Sequence, residues 1–456
     1  MFAKNNPKVI NAWCMYDWAN SVYALTITSA IFPIYFNGVA KKPGTEDLVD
    51  FFGFELKNSV LYSYTLGTSF LVVALILPLL SGIADYSGKK KLFLKAFMYL
   101  GASACIGLYW FRGVSDVELA IILSFLASIG YSGGLVFYDA FLPEIATADR
   151  FDMVSAKGYS LGYIGGVILL IINLVVLMMP DLFFPVEEKI QAYVANDTLS
   201  YEAAKLKAKD YYDALASRIA FVTVGVWWIL FSQITFKYLQ KNINQQKPEG
   251  NILTEGYKEI IKVTKSLFHN RQMATYLLAF FFYNMGVQTV MYLATTFGTK
   301  ELKLADQDLI GIVLVIQLVA IGGAYLFAYI SKIKGNKYSL MTMIIVWIFI
   351  CFGAYLVQNT MQFYSLAFVV GMVMGGIQSL SRATFSKLIP VGTIDTASYF
   401  SFYDVTFNLS IFFGTVTYGL LEQITSSMRS GSLALATFFF IGMSFLYFVR
   451  IPKDQG

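Results

Sequence analysis

Charge is scarce in this 456-residue chain: Asp, Glu, Lys and Arg make up 14% of it, against about 25% in a soluble globular domain. With 57% hydrophobic residues and a mean hydropathy of +0.60, that shortage excludes a soluble domain and makes the chain a membrane protein. Histidine is nearly missing. His269 is the one in the sequence, so no mechanism needing a histidine pair is open. The three cysteines, Cys14, Cys105 and Cys351, lie far apart in apolar runs, which argues against disulfides and a thiolate zinc site. No His-Glu metal motif, Ser-His pairing or phosphate-cradling loop is present, so an enzyme is not expected, nor a metal or cofactor, nor a nucleic-acid partner. Residues 1–11 are polar and lack a small-residue cleavage site, so the first apolar run is expected to be retained.

What the chain has instead is long apolar runs. A span needs about 20 mostly apolar residues, and twelve runs qualify: about 12–37, 59–84, 93–112, 117–140, 156–179, 218–240, 273–297, 309–331, 340–358, 363–383, 398–421 and 432–450. With both termini cytoplasmic, roughly two-thirds of the lysines and arginines fall inside, as the positive-inside rule requires. Lys89, Lys90, Lys91, Lys332, Lys334 and Lys337 are inside; the acids Glu46, Asp47, Asp50 and Glu55 are outside. The outer stretch 180–217 is expected to form small surface helices over Glu187 to Tyr193 and Tyr201 to Leu215. The inner stretch 241–272 opens with a loose linker at 244–250. Lysines then alternate with Ile260, Ile261, Val263 and Leu267, the pattern of an amphipathic helix lying on the inner membrane face.

The halves repeat. Tyr16-Asp17-Trp18-Ala19 lies over Tyr283-Asn284-Met285-Gly286, the 85–89 loop over 332–336, and Phe141-Leu142-Pro143 over Leu388-Ile389-Pro390. Parallel repeats of this kind imply two six-helix bundles about an axis along the membrane normal, with a cavity between them. The organisation expected is an all-α membrane protein: a bundle at 1–240, a cytoplasmic linker with an amphipathic helix at 241–272, and a bundle at 273–456.

Gly82-Ile83-Ala84-Asp85-Tyr86-Ser87-Gly88-Lys89-Lys90-Lys91 joins the second and third spans. It resembles the G-x-x-x-D-x-x-G-R-[KR]-[KR] loop of the major facilitator superfamily, with lysine where arginine is usual. The chemistry suits a gate: Gly82 and Gly88 permit close approach and a tight turn, and Asp85 can sit at a neighbouring helix N-terminus. In the second half Lys332 replaces the acid, which makes any such latch asymmetric. Tyr16-Asp17-Trp18-Ala19-Asn20-Ser21, Tyr138-Asp139-Ala140-Phe141-Leu142-Pro143-Glu144 and Ser379-Leu380-Ser381-Arg382-Ala383 are similar to motifs of the vacuole-effluxer branch, the fungal autophagy-linked amino-acid exporters and their bacterial relatives. The short loops look more like a bacterial member. The resemblance implies a secondary transporter working by alternating access, with amino-acid export as the finer expectation. It would be a monomer in the cell membrane, the inner membrane if bacterial, with lipid, a small-molecule substrate and protons as partners.

Polar residues inside the spans give the candidate site. An intramembrane carboxyl costs a few kcal/mol at least, so it faces a partner or a water-filled cavity. Asp17, Asn20, Ser21 and Ala24 share one face of the first span. Hydropathy and the repeat disagree on depth; the expectation is a long first helix protruding into the cytoplasm, with Asp17 in the inner third of the membrane. Asn284 with Gln288, and Tyr403, Asp404 and Asn408, offer polar pairs in the seventh and eleventh spans. Hydrogen-bonded glue between helices is the competing reading for the carboxamides. Asp17 and Asp404 are candidates for proton coupling, because a carboxyl taken out of water needs a partner or a proton. Tyr16 and Tyr23 accompany Asn20. Asp139 and Arg382 end the fourth and tenth spans with opposite signs and are expected to make a partly hydrated bridge that closes the inner side; a solvated charge at each span end is the alternative. Gly158, Gly162, Gly165, Gly166, Gly371 and Gly375 read as packing and hinge positions. A receptor or scaffold that keeps the fold without transporting, and movement of a different small amphipathic solute, are the open alternatives.

Overall fold

A computed structural model describes residues 3–45, 47–197, 199–239, 251–425 and 427–452. The expected loose linker at 244–250 lies outside the described residues. The chain runs through α1 (Pro7–Val22), a π-helical stretch (Tyr23–Ala30), α2 (Ile31–Val39), β1 (Leu48–Phe51), β2 (Phe54–Lys57), α3 (Asn58–Ser87), α4 (Lys90–Gly107), α5 (Val117–Asp139), α6 (Leu142–Ile145), α7 (Phe151–Met178), α8 (Val186–Asp197) and α9 (Tyr201–Tyr238). It continues through α10 (Ile252–His269), α11 (Arg271–Leu302), α12 (Asp306–Lys334), α13 (Asn336–Leu356), α14 (Thr360–Leu388), α15 (Thr396–Thr425) and α16 (Met428–Phe448). Among the described residues, eleven helical stretches are long and apolar enough to cross a membrane, six before residue 240 and five after residue 270. The 30-residue α15, outside that set, carries Tyr403, Asp404 and Asn408.

The helices start and stop where the local chemistry provides caps. Asn6, Ser200, Asn270 and Asn359 accept backbone N–H groups at the starts of α1, α9, α11 and α14. Gly88, at φ 65°, ends α3 in the left-handed conformation that glycine adopts freely. α1 packs on α7 and α9, α4 on α5 and α9, and α3 on α5; in the second half α12 packs on α14, and α11 on α15 and α16. The two halves meet where α7 touches α12 and α14 and where α3 touches α15. Small residues allow the closest of these approaches: a Cβ at Gly375 or Gly371 of α14 would run into the backbone of α12 at Ala320 or Ile316.

Three local features depart from the sequence expectations. The acidic outer connection holds a β-hairpin, Leu48↔Lys57 to Phe51↔Phe54. Its turn residues Phe52 and Gly53 both have positive φ, 49° and 85°, the twist a two-residue hairpin requires. Tyr201 to Leu215 is not a separate surface helix but the start of α9, since no breaker separates it from the span. α8 is the separate helix among the described residues of this stretch, and it packs Ile190 on Ala204 and Ala208 of α9. Finally, α1 does not protrude alone. Lys4 Nζ donates to Pro143 O and Asn5 N to Ile145 O, both at 2.8 Å, tying its start to the α5–α7 connection. Asp17 then lies ten residues, about 15 Å, along the helix from Pro7.

Candidate functional site

Between the halves lies a cavity of about 200 Å³ lined from α1, α3, α5, α7, α11, α12, α14 and α15. That is below the range of drug-sized sites, about 300–1,000 Å³, and suits a small metabolite. On the α1 side the wall is Asp17, Asn20, Ser21 and Ala24, then the π-helical Tyr23, Thr28 and Ser29. The wider π turn, seen also in Ser29 Oγ donating to Ala24 O five residues back, changes the helical phase along this wall; such turns recur at functional sites. Gln288, Tyr403, Asp404 and Asn408 line the facing wall.

At one end of the cavity sits Arg382, 1% exposed. Its Nη1 donates to Asp139 Oδ1 at 2.9 Å and its Nη2 to Asp17 Oδ2 at 3.3 Å. Nε donates to Ser155 Oγ at 2.9 Å and Nη2 also to Ser155 O at 3.1 Å. Tyr138 hydroxyl donates to Asp17 Oδ2 at 2.7 Å. The guanidinium lies 4.3 Å from the Tyr159 ring centroid and 4.8 Å from that of Trp13, an aromatic cover that favours a cation. Arg382 on α14 thus joins α1, α5 and α7 across the interface. Gly158 makes room for it, because a Cβ there would lie 2.4 Å from Asp17 Oδ2 and 3.1 Å from Arg382 Nη2. The expected Asp139–Arg382 pair is formed, and Asp139 ends α5 as expected. α14 continues to Leu388, so Arg382 lies inside its helix, and both side chains are buried rather than partly hydrated.

Two further polar clusters join the halves at the end bearing the α3–α4 turn. In the first, Asp85 accepts from Ala397 N at 3.2 Å and from Ser398 N and Oγ at 2.7 Å each, at the start of α15. A carboxylate at a helix N-terminus is favoured by the aligned peptide dipoles. Lys90 Nζ pairs with Asp85 at 3.0 Å and Glu144 at 2.6 Å, and donates to Thr396 Oγ1 at 2.6 Å. Gly82 is the contact for α10: a Cβ there would lie 2.4 Å from Gly256 O. In the second cluster Asp152, at the start of α7, accepts from Ser331 Oγ at 2.9 Å, Asn336 Nδ2 at 2.8 Å and Lys387 Nζ at 3.0 Å.

The structure sorts the candidates. Asp17, Asn20, Tyr23, Gln288, Tyr403, Asp404, Asn408, Asp139 and Arg382 come together on one cavity. Tyr16 does not line it; the ring is buried against Tyr138 and Phe236. Nor does Asn284, whose amide donates to Ser410 Oγ at 2.6 Å, the interhelical glue that competed with a cavity role. Lys89 is exposed, one residue too early to face Asp85. Lys332 is exposed as well; the second cluster gets its acid from Asp152 instead. Glu144, Ser155, Asp152, Asn336 and Lys387 were missed. Asp152 and Lys387 left only a pair of opposite charges, at the start of α7 and the end of α14, with no local motif to link them.

Residues 5–455 match the family model described as "Vacuole effluxer Atg22 like". It is 30% identical over 454 residues to an uncharacterized MFS-type transporter, YxiO, of Bacillus subtilis (strain 168), covering 99% of this chain and 97% of that protein. It is 22% identical over 495 residues to autophagy-related protein 22-2 of Aspergillus niger, covering 90% of this chain and 78% of that protein. Among solved structures, the major facilitator transporter FucP in its outward conformation superposes with a TM-score of 0.68 at 12% identity over 98% of this chain and 99% of the other. The proton:xylose symporter XylE gives 0.66 at 14% identity over 97% and 96%. By sequence, the chain belongs to the Atg22-like vacuole effluxer family, as a multi-pass membrane transporter of the major facilitator fold.

Proposed function

We propose that the protein is a secondary active transporter that exports small polar solutes, amino acids first among them, by alternating access. The moving units are the bundles 1–240 and 273–456, joined by 241–272. α15 is the eleventh of twelve spans, and both termini lie in the cytoplasm. The observation that carries this reading is the cavity: both halves line it, and the polar contacts between them gather at one end. The gate residues Gly82, Asp85, Gly88, Lys90, Asp139 and Arg382 hold that end, the cytoplasmic one, shut in the state described, so that the opposite end receives solvent. Cavity size supports a small solute, and the carboxamides of Asn20, Gln288 and Asn408 suit groups that both donate and accept hydrogen bonds. The family description as effluxers supports the export direction. Protons are the coupling ion, with Asp17 and Asp404 as carriers; that the fucose and xylose neighbours are named proton symporters fits this choice. The protein acts as a monomer in a bacterial inner membrane.

Reconstitution tests the reading. Purified protein in proteoliposomes loaded with labelled amino acids is expected to release them several-fold faster when a pH gradient is imposed. Release at the rate of protein-free liposomes, with and without the gradient, would leave the scaffold alternative standing.

A further inference from the structure

The charged groups on the cavity wall are unequally committed. Arg382 makes four hydrogen bonds, all to the protein, and its faces are covered by aromatic rings. Asp17 accepts from Tyr138 and Arg382, and Asp139 from Arg382. Asp404 is different. It is 5% exposed, and its Oδ2 has no hydrogen-bond partner among the described residues. One helical turn on, Asn408 donates its amide to Asp404 O at 2.8 Å; its Oδ1 is then left, like Asp404 Oδ2, a buried acceptor without a donor among the described residues. Leaving a buried polar group unsatisfied costs about 1–3 kcal/mol, more for a charged one. Two such acceptors one turn apart, on residues that both line the cavity, ask for a donor that brings positive charge. Across the cavity, Asn20 Nδ2 is a buried donor in the same position and suits a neutral carbonyl or hydroxyl.

The balance of charge points the same way. Among the lining residues three carboxyl groups, Asp17, Asp139 and Asp404, face one guanidinium. A ligand cation offsets the surplus, and a ligand anion adds to it.

We propose that α15 carries the substrate anchor: Asp404 and Asn408 receive an ammonium group, so the protein takes amine-bearing solutes, cationic or zwitterionic, and rejects anions. This rests on the central cavity being the transport site, as proposed above. It deepens that reading by naming the group recognised and the residues that recognise it.

The test uses the purified full chain and three compounds that share a side chain and differ in charge: L-leucinamide, L-leucine and N-acetyl-L-leucine, with putrescine and choline as cations lacking that side chain. Leucinamide is expected to raise the melting temperature at a concentration about tenfold below that needed for N-acetyl-leucine, and Asp404→Asn is expected to abolish this preference. Equal stabilisation by N-acetyl-leucine, a preference that survives Asp404→Asn, or no response to any of the cations overturns the anchor. Putrescine stabilising through Asp404 while every leucine compound fails keeps the anchor and rejects the amino-acid reading; choline, whose quaternary nitrogen has no N–H to donate, doing as well as putrescine overturns it. The charge ranking is read on the unmodified protein, so it holds the proposal to account even if Asp404→Asn does not fold.

Discussion

A guanidinium buried among aromatic rings is tolerated only while its charge is answered, and Arg382 answers two carboxyl groups at once. Removing one partner of a buried pair costs about 3–5 kcal/mol, because the other is left uncompensated. Arg382→Met strands both Asp17 and Asp139, so a large fall in melting temperature is expected. Arg382→Lys restores charge but not the planar fork that reaches Asp139, Asp17 and Ser155 together; its melting temperature should fall between the two. A lysine variant as stable as wild type would show that the fork geometry does not matter. Asp17 and Asp404 separate by the same logic. Asp17 is held by protein groups, so Asp17→Asn is expected to abolish gradient-driven flux in proteoliposomes while ligands still raise the melting temperature. Asp404→Asn should lose both. Unchanged gradient-driven flux in Asp17→Asn would end its assignment as a proton carrier. Gly158→Ala tests the space around the pair: a methyl 2.4 Å from Asp17 Oδ2 must displace it, at a cost of about 1–3 kcal/mol. That cost should vanish when Arg382→Met has already broken the network.

The linker helix α10 is more than a tether. It lies against α3 and α15, with Gly256 pressed on Gly82 and Ile83, Val263 and Leu267 buried, and Lys262 paired at 2.8 Å with Asp395 just before α15. Burial opposes the Lys262 charge, but Asp395 and Glu259 outweigh it and hold the amine above the usual lysine range. A lysine so raised keeps its contribution below its unfolded value of about 10.4 and loses it only as pH climbs past the folded one; the anchor therefore persists across physiological pH. Gly82→Val should unseat α10 and expose the α3–α15 contact beneath it. With Cys14, Cys105 and Cys351 replaced and Ser132→Cys as a reporter on the cavity wall, labelling from the α10 side is expected to quicken several-fold. The same rate in both proteins would mean that α10 seals nothing. Helices were the legible part at this scale, since apolar runs of sufficient length can satisfy their backbone only as helices, and, the early start of α9 apart, the helices fall within a few residues of the runs expected. The π-helical stretch was not legible. Tyr23 to Ala30 contains nothing that distinguishes an i+5 turn from an i+4 one until the neighbouring helices are packed. The hairpin left a fainter trace, an alternation around Phe52-Gly53 hidden among acids.

At the scale of the whole molecule the two halves, already joined through Arg382, are clasped twice more, with opposite polarity of construction. In one clasp the acid, Asp85, ends a helix and meets the start of α15; in the other the acid, Asp152, starts a helix and meets the ends of α12 and α14 and the start of α13. Both acids belong to the first half and both receiving surfaces to the second. The loop signature made the first clasp readable from the sequence. The second was hidden because its partners, Asp152 and Lys387, stand 235 residues apart and no local motif links them. The same limit hid which cavity oxygens would be left free, since that depends on every neighbour at once. Two clasps in parallel make a specific demand on energetics. While either holds, the halves cannot swing apart at this end, so each single loss is buffered by the other. Asp85→Asn and Asp152→Asn should each change labelling of the Ser132→Cys reporter modestly. The double variant should exceed the sum of the two, with a coupling of about 0.5–3 kcal/mol, the range for residues acting on one structural event. Both asparagines keep an acceptor oxygen for the helix start or for Ser331 and lose the charge facing Lys90 or Lys387, so folding should survive and the opening equilibrium should be what moves. Strict additivity would mean that the clasps open independently, and that the halves do not move as rigid units about the cavity.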